Sequence, residues 1–266
     1  MRLSGLLYRS GIWIAYTVML LPVVLLIVTS FFSDAIITFP PSGLSLDWYH
    51  NAIRRSEFLG GFTVSLKVAA IATLIGVPAG TAAALALVRS RIRFKQAIST
   101  FLLGPIIVPG IVAGTALYLI YLMAQNRFDM DIVGTLPGLV AAHVLLTIPW
   151  TVRVVTAGLQ GLDTSAEEAA ANLGARPWVV FYRITLPLIR PAIVAASLFS
   201  FIQSFENLEL TLLLVGPGMS TLPIAMLNYL EFQIDPTLAA VASIQIVVIA
   251  TMMLITDRYV KLSRIV

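Results

Sequence analysis

Long apolar stretches separated by short polar connections dominate this chain. Six of them are long enough to cross about 30 Å of hydrocarbon, which takes roughly 20 helical residues. They run over residues 11–33, 62–88, 98–124, 136–159, 191–215 and 237–256. The strands of a membrane barrel would alternate apolar and polar residues over about 10 positions, and no stretch does so. The pattern predicts an all-α integral membrane protein with six transmembrane helices, in a single domain over residues 1–266.

The composition agrees with a bilayer location. Hydrophobic residues make up 59% of the 266 residues and charged residues 11%, whereas a soluble domain carries about 25% charged residues. The first stretch follows two arginines, as the core of a signal peptide would. However, its apolar core exceeds the usual length of about 7–15 residues, and no A-x-A cleavage pattern follows it. We therefore expect residues 11–33 to be an uncleaved span.

The basic residues indicate which way the spans face. With the N-terminus inside, 13 of the 17 Lys and Arg residues fall on the cytoplasmic side and 4 on the outer side, as the positive-inside rule requires. The cytoplasmic set includes Arg89, Arg91, Arg93 and Lys95, together with Lys261 and Arg264 near the C-terminus. Both termini are therefore expected in the cytoplasm. The long connections 34–61 and 216–236 are expected outside, the second with a short helix over Leu222–Leu230.

Several classes of protein are excluded at this stage. The chain has no cysteine, so it has no disulfides, thiolate metal sites or redox pairs. His50 and His143 are far apart in the sequence and no acidic cluster surrounds either, which argues against a metalloenzyme. We expect His143 to hydrogen-bond between helices rather than to bind a ligand. The net charge of +4 is spread between apolar runs, which argues against a nucleic-acid-binding patch.

Two G-x-x-x-G patterns lie inside the predicted spans. Gly76 and Gly80 form the first, and Gly110 and Gly114 form the second just after Pro109. Such glycines allow close approach of helix backbones, and proline removes a helical hydrogen bond and kinks the helix. Gly and Pro are also simply common in membrane helices. For each pattern, two interpretations therefore remain open: a close contact with another helix, or no specific contact.

The connection between spans four and five contains two short predicted helices. Ser165 followed by Glu168 is the pattern of a capping box, so a helix is expected to start there. Gly174 is a natural residue for the end of that helix. Pro177 suits the first turn of a second helix, and Pro187 is expected to close it before span five begins. Because the pair is too short to be stable alone, we expect it to dock on something. The alternative is an ordinary amphipathic connector that lies on the membrane surface.

This connection, residues 163–190, resembles the E-A-A-x3-G-x9-I-x-L-P loop of ABC importer permeases. The seven specified positions are here Glu168, Ala169, Ala170, Gly174, Ile184, Leu186 and Pro187. The resemblance implies that the first short helix is a coupling helix, which sits in a cleft on an ATP-hydrolysing subunit. It also implies that Gly174 permits the sharp turn and that Glu168 caps or bridges at the docking surface.

The length, the six-span layout and the position of the motif resemble the second membrane subunit of polyamine-type (spermidine/putrescine) transporters. That family implies a second, related permease subunit forming a heterodimer, two ATPase subunits and an extracytoplasmic solute-binding protein, in the bacterial inner membrane. The chain has no Gly-Lys dipeptide and hence no P-loop. We therefore expect a non-catalytic subunit without a cofactor of its own, with ATP and Mg bound by the partner ATPase subunits.

An acidic stretch in the fifth span is the predicted substrate path. Glu206 lies about 22 Å along the helix from Pro191, where a carboxylate is costly unless it faces an interior or wet cavity. Glu206 and Glu209 would share a helix face and attract a cation. The stretch resembles the Ser-x-acid-acid pattern of polyamine-type permeases through Ser204, Glu206 and Asn207. Asn207 stands where the second acid is expected and Glu209 is an addition, so the glutamates could instead bond a neighbouring helix or lie near the outer interface.

Two other classes of function remain to be compared with an importer permease. An ion-coupled secondary transporter or channel would use the two glutamates as ion sites, but it leaves the connection between spans four and five unexplained. A membrane-embedded enzyme is not supported, because no nucleophile–base pair or metal-ligand spacing is present. Polyamines are the first expectation for the solute, and opines, amino-acid-like compounds, thiamine and ferric iron remain as alternatives.

Overall fold

The computed structural model describes residues 2–36, 38–90 and 93–260, with side chains between residues 8 and 258. Arg91, Lys261 and Arg264, which entered the orientation argument, lie outside the described residues. The helices are α1 Arg2–Thr29, α2 Asp47–Arg54, α3 Ser56–Arg89, α4 Lys95–Ile107, α5 Gly110–Phe128, α6 Leu136–Gln160, α7 Ser165–Asn172, α8 Pro177–Val180, α9 Leu186–Phe205, α10 Leu222–Phe232 and α11 Thr237–Val260. A π turn, Phe181–Thr185, joins α8 to α9, and a 3₁₀ turn, Thr211–Leu213, follows α9.

The described part of the chain is all-α, as predicted. Five of its helical segments are long and apolar enough to cross a membrane, and a sixth span results if α4 and α5 are counted together. These five segments and the α4–α5 pair overlap the six predicted spans, although the bounds of the fifth differ. The short helix expected in the last outer connection is also present, as α10.

The third span is broken rather than kinked. The helices α4 and α5 meet at an angle of 102°. Pro109 caps the start of α5, and because it has no N–H it cannot continue the hydrogen bonds of α4. The prolines therefore have a larger effect than the kink expected from the sequence.

The predicted bounds of the fifth span, 191–215, are wrong at both ends. The apolar helical segment runs over Pro177–Phe205. Pro187 does not close the preceding helix, because it lies in the first turn of α9, where its missing N–H costs little. At the other end Asn207 accepts a hydrogen bond from the Leu210 N–H at 3.0 Å, which favours a turn over further helix.

The described residues form two compact units. The first contains the chain up to Leu59 together with Ala225–Ile249, and the second contains Gly60–Ile224 with the described residues from Ala250 onward. All of the predicted site residues belong to the second unit.

Polar and aromatic contacts tie the first unit together. The guanidinium of Arg55 lies 4.8 Å from the centre of the Tyr229 ring. The Tyr229 hydroxyl donates to Asp235 at 2.7 Å. Asn51 donates to Thr237 at 3.0 Å, which joins α2 to the start of α11.

The second unit is built around α6, which packs on α4 and α9. Two buried clusters form its core. One joins α3, α5, α6 and the segment after α9, through Val68, Tyr121, Leu139, Val140, Ala142, Leu210 and Leu214. The other joins α3, α6 and α9, through Ala84, Val155, Leu159, Ile189 and Ala196. Because lipid tails are as apolar as these side chains, close packing rather than exclusion of water holds such helices together.

The first G-x-x-x-G pattern makes the helix contact that the sequence left open. A Cβ atom placed on Gly76 would come within 2.8 Å of the Thr147 Cβ, and one on Gly80 within 2.6 Å of the Thr151 Cβ. Both threonines belong to α6. These distances leave no room for a side chain, so the two glycines allow α3 and α6 to approach closely.

Candidate functional site

The helix α7 begins at the residue expected, but its cap differs from the prediction. Thr164 is the N-cap and Ser165 the first helical residue. Asp163 accepts from the backbone N–H and the hydroxyl of Ser165, at 3.0 and 2.8 Å. These two bonds lower the pKa of the Asp163 carboxyl and keep it ionised. The capping box predicted from Ser165 and Glu168 is therefore wrong, because Asp163 holds the serine hydroxyl; Glu168 instead accepts from the Thr164 hydroxyl at 2.8 Å.

The end of α7 is the glycine turn that the sequence predicted. Gly174 has a φ of +81°, in the left-handed region. Its N–H donates to the Ala171 carbonyl at 2.9 Å, and the Ala175 N–H donates to the Ala170 carbonyl at 3.0 Å. These two bonds form a Schellman motif, in which a glycine avoids the cost that a Cβ would carry. The chain therefore reverses sharply between α7 and α8.

The two faces of α7 differ in exposure. We call the face that packs against the transmembrane part the inner face of α7, and the opposite, exposed face its outer face. Glu167 and Ala170, one turn apart, are half-buried, whereas Glu168 and Ala169 are exposed. Beyond the turn, large apolar side chains also remain open: Leu173 is 89% exposed and Trp178 60% exposed. An exposed surface of this composition is suited to contact with another protein.

Glu167 anchors the inner face of α7 to two other helical segments. Its carboxylate lies 2.8 Å from Nη2 of Arg89, the last residue of α3. The same carboxylate accepts from the Thr185 hydroxyl at 2.7 Å, at the end of the π turn. Sequence reasoning missed Glu167 because it concentrated on Glu168. The available signal was an acid in the first turn of α7 and a basic cluster in another connection predicted on the same side of the membrane.

The last three residues of the loop motif lie where the π turn becomes α9. Ile184 is half-buried in the π turn and Leu186 begins α9. Leu186 packs against the cluster that joins α3, α6 and α9. Pro187 is exposed in the first turn of α9. This part of the motif therefore joins α8 to a transmembrane helix within one helical segment.

The four residues of the predicted substrate path differ in exposure. Ser204 is buried, Asn207 is half-buried and forms the turn described above, and Glu206 and Glu209 are exposed. Glu206 is the C-cap of α9. The expectation that Glu206 and Glu209 share a helix face is wrong, because the helix ends at Phe205.

Glu209 lies against the start of α5. A Cβ atom placed on Gly110 would come within 2.8 Å of the Glu209 Cβ, and one on Gly114 within 3.0 Å of the Leu210 carbonyl oxygen. The second G-x-x-x-G pattern thus contacts the segment after α9 instead of another helix. The broken span and the acidic segment are therefore in direct contact.

A buried histidine holds the acidic segment in place. His143 lies 2.7 Å from the Ser204 hydroxyl through Nδ1 and 3.1 Å from Thr211 Oγ1 through Nε2. Thr211 donates its hydroxyl proton to the Asn207 carbonyl at 2.8 Å. A hydroxyl has one proton, so Nε2 of His143 donates to Thr211, and in the neutral ring Nδ1 then accepts from the Ser204 hydroxyl. The prediction that His143 hydrogen-bonds between helices is confirmed by its contact with Ser204 of α9.

Among the residues that the structure describes, no three or more His, Cys, Asp or Glu side chains lie together in a way that could hold a metal ion.

The chain matches a known protein family. The family described as binding-protein-dependent transport system inner membrane component matches residues 76–264. This chain belongs to that family and is a permease subunit of an ABC importer, in the inner membrane. It is 30% identical over 232 residues to the putrescine transport system permease protein PotI of Escherichia coli (strain K12), covering 87% of this chain and 82% of that protein. It is 28% identical to the spermidine/putrescine transport system permease protein PotC of the same strain, covering 96% of both chains.

Solved structures show the same fold. A bacterial ABC transporter involved in the import of the acidic polysaccharide alginate superimposes with a TM-score of 0.70 at 15% identity, covering 97% of this chain and 96% of that one. At that identity the likeness concerns the fold alone. An inward-facing conformation of the MetNI methionine ABC transporter gives a TM-score of 0.60 and covers 82% of this chain.

Proposed function

We propose that this permease subunit forms part of the translocation path for a small organic cation of the polyamine class. The observation that carries the proposal is the exposed Glu206 carboxylate at the end of α9. A carboxylate attracts ammonium groups through Coulomb interaction. The names of the two relatives above support the same class of solute. Ser204, Asn207 and Glu209 complete the proposed path, with Ser204 and Asn207 acting by shaping the segment.

We further propose that α7 is the coupling helix, docked on a separate ATPase subunit. Its exposed Glu168 and Ala169, with Leu173 and Trp178 beyond the turn, form the proposed docking surface. Ala170 and Gly174 close α7 through the Schellman motif, and Ile184, Leu186 and Pro187 continue into α9. A displacement of α7 by the ATPase would therefore be delivered to a transmembrane helix.

The proposed assembly contains an ATPase dimer that binds ATP and Mg, a second related permease and an extracytoplasmic solute-binding protein. Both termini lie in the cytoplasm in this proposal, because that orientation places α7 and the basic cluster around Arg89 on the same side as the ATPase. The outer face then presents the connections that would receive the solute-binding protein. The surrounding lipid contacts the apolar faces of the spans. The span Tyr8–Thr29 is an example, because no residue of its apolar window is buried.

The proposal is tested by reconstituting the complete transporter in liposomes and measuring ATP-driven uptake of labelled putrescine. Glu206→Gln is expected to lower uptake roughly tenfold or more, because a charged hydrogen bond to the cation is lost. The matched control is Glu231→Gln, which neutralises an exposed acid on α10. Co-isolation of the ATPase should be unchanged in both variants.

Two results would contradict the proposal. Unchanged uptake kinetics in Glu206→Gln would remove this acid from the path. Uptake that proceeds without ATP or any ATPase subunit would favour a secondary transporter instead.

A further inference from the structure

The helix α7 does not hold itself in place. It has eight residues and none of them is buried, whereas isolated helices shorter than about 12 residues are marginal in water. In the part of the chain that the structure describes, the side-chain polar contacts that join α7 to the transmembrane helices come from Glu167. The Glu167 side chain is only 14% exposed. Glu167 therefore supplies the side-chain polar contacts that hold α7 against the membrane part.

The contacts of Glu167 are directional. Nη2 of Arg89 lies 2.9 Å from one carboxylate oxygen and 2.8 Å from the other. The Thr185 hydroxyl donates to the first of these oxygens at 2.7 Å, and Thr185 is 6% exposed. Three polar contacts on one carboxylate fix its position and orientation better than an apolar contact of the same area would.

The two partners of Glu167 lie on different spans. Arg89 ends α3 and Thr185 directly precedes α9. Both helices then contact the same residue of α6: Gly80 of α3 packs on Thr151, and Ser200 of α9 lies 3.1 Å from the Thr151 hydroxyl. A continuous set of contacts thus runs from α7 through α3 and α9 to α6. Such contiguous packing and hydrogen bonding can carry coupling between distant sites.

We propose that Glu167 is the positioning residue that transmits a displacement of α7 to α3 and α9 together. This inference rests on the proposed role of α7 as the coupling helix. Glu168 and Ala169 on the outer face contact the ATPase, while Glu167 on the inner face holds the two spans. Without the ion pair α7 can still dock on the ATPase. Its displacement then reaches α9 only through the covalent chain, and α3 no longer moves with it.

The first test measures this movement directly and needs no transported solute. The chain has no cysteine, so cysteines introduced at the exposed positions Ala171 and Ala86, the latter in the last turn of α3, carry the only spin labels when the partner subunits are also prepared without cysteine. The distance between the labels is measured in the complete transporter, with ADP and after vanadate trapping with ATP. The unchanged pair should give the same distance distribution in both states, because α7 and the end of α3 move together. In Glu167→Gln, trapping should shift and broaden the distribution. Identical distributions with and without the substitution would overturn the proposal.

The second test separates transmission from docking. Glu167→Gln should retain ATPase co-isolation and basal ATP hydrolysis, and should lose roughly 2- to 30-fold in putrescine uptake per ATP hydrolysed. Glu167→Arg combined with Arg89→Glu restores an ion pair and should recover most of the loss. An ion pair at a partly exposed site adds little to folding, so the single variant should still fold. Failure of the exchanged pair to recover any coupling, or loss of ATPase co-isolation in Glu167→Gln, would overturn the proposal.

A comparison with Ala169→Arg distinguishes failure of this inference from failure of the proposed function. If Ala169→Arg abolishes ATPase co-isolation while Glu167→Gln behaves as wild type, α7 is the coupling helix but Glu167 does not transmit its movement. If ATPase co-isolation survives Ala169→Arg, the coupling role of α7 is itself wrong, and this inference falls with it.

Discussion

The imidazole Nδ1 of His143 on α6 lies 2.7 Å from the hydroxyl of Ser204 in the last turn of α9. Through its other nitrogen the same ring reaches Thr211 at 3.1 Å. One buried side chain therefore fixes both ends of the segment that carries Glu206 and Glu209. The polar atoms of this network are buried, so each depends on its partner for a hydrogen bond.

Ser204→Ala is expected to destabilise the protein by about 1–2 kcal/mol, because His143 then keeps an unsatisfied buried acceptor. The measurement is thermal unfolding of the purified protein in detergent. Ser197→Ala is the matched control on the same helix, since Ser197 bonds only to the preceding turn, at the Ile193 carbonyl, in the described structure. Equal unfolding temperatures for the two variants would argue against the role assigned to the histidine network.

Gly80→Ala is expected to cost about 1–3 kcal/mol of stability, because the added Cβ forces α3 away from Thr151 of α6. Gly60→Ala on the same helix is the control, as its Cβ would meet no atom within 4 Å. Alanine favours helix over glycine by up to about 1 kcal/mol, so the control should be neutral or slightly stabilised. The measurement is the denaturation midpoint of each variant. Equal midpoints for Gly80→Ala and Gly60→Ala would contradict the close helix contact.

Gly110→Ala is expected to displace Glu209, whose Cβ would lie 2.8 Å from the new methyl group. Putrescine uptake by the reconstituted transporter should fall while the ATPase still co-isolates. Gly104→Ala, on the other side of the break between α4 and α5, provides the control because its Cβ would meet nothing within 4 Å. Normal uptake by Gly110→Ala would show that the position of Glu209 is immaterial to transport.

Gly174→Ala is expected to raise the energy of the turn after α7 by about 1–2 kcal/mol, because a Cβ is disfavoured at positive φ. Gly174→Asn should cost less, since asparagine tolerates this conformation. The turn is open to solvent, so both proteins should fold, and uptake per ATP should decrease in the order Gly, Asn, Ala. A reversed order would contradict the conformational explanation.

The sequence was sufficient for the helical architecture because apolar stretches of spanning length are visible without any structure. It was also sufficient for the turn at Gly174, where the local chemistry alone selects the residue. The end of α9 was not predictable in this way. Apolar residues continue as far as Val215, interspersed with Glu206, Asn207 and Glu209. The helix stops after Phe205 because of the Asn207 turn and the bond from Thr211.

The same distinction applies to the proposed sites. The residues of the loop motif could be identified from their spacing, but Glu167 could not, because its importance comes from Arg89 and Thr185, which are distant in sequence. Ser204 was assigned to the solute path from a pattern, whereas the structure shows it bonded to His143. Contacts between residues far apart in the chain were the information that a single sequence did not provide.

The central claim, that α7 couples this permease to a separate motor, is tested most directly by measuring how much ATPase co-isolates with Ala169→Arg. The substituted side chain adds bulk and charge to the exposed face of α7, so the claim predicts that the ATPase is lost and ATP-driven putrescine uptake with it. Ala97→Arg, at an exposed position of α4, should retain both. Full co-isolation and undiminished uptake with Ala169→Arg would contradict the claim.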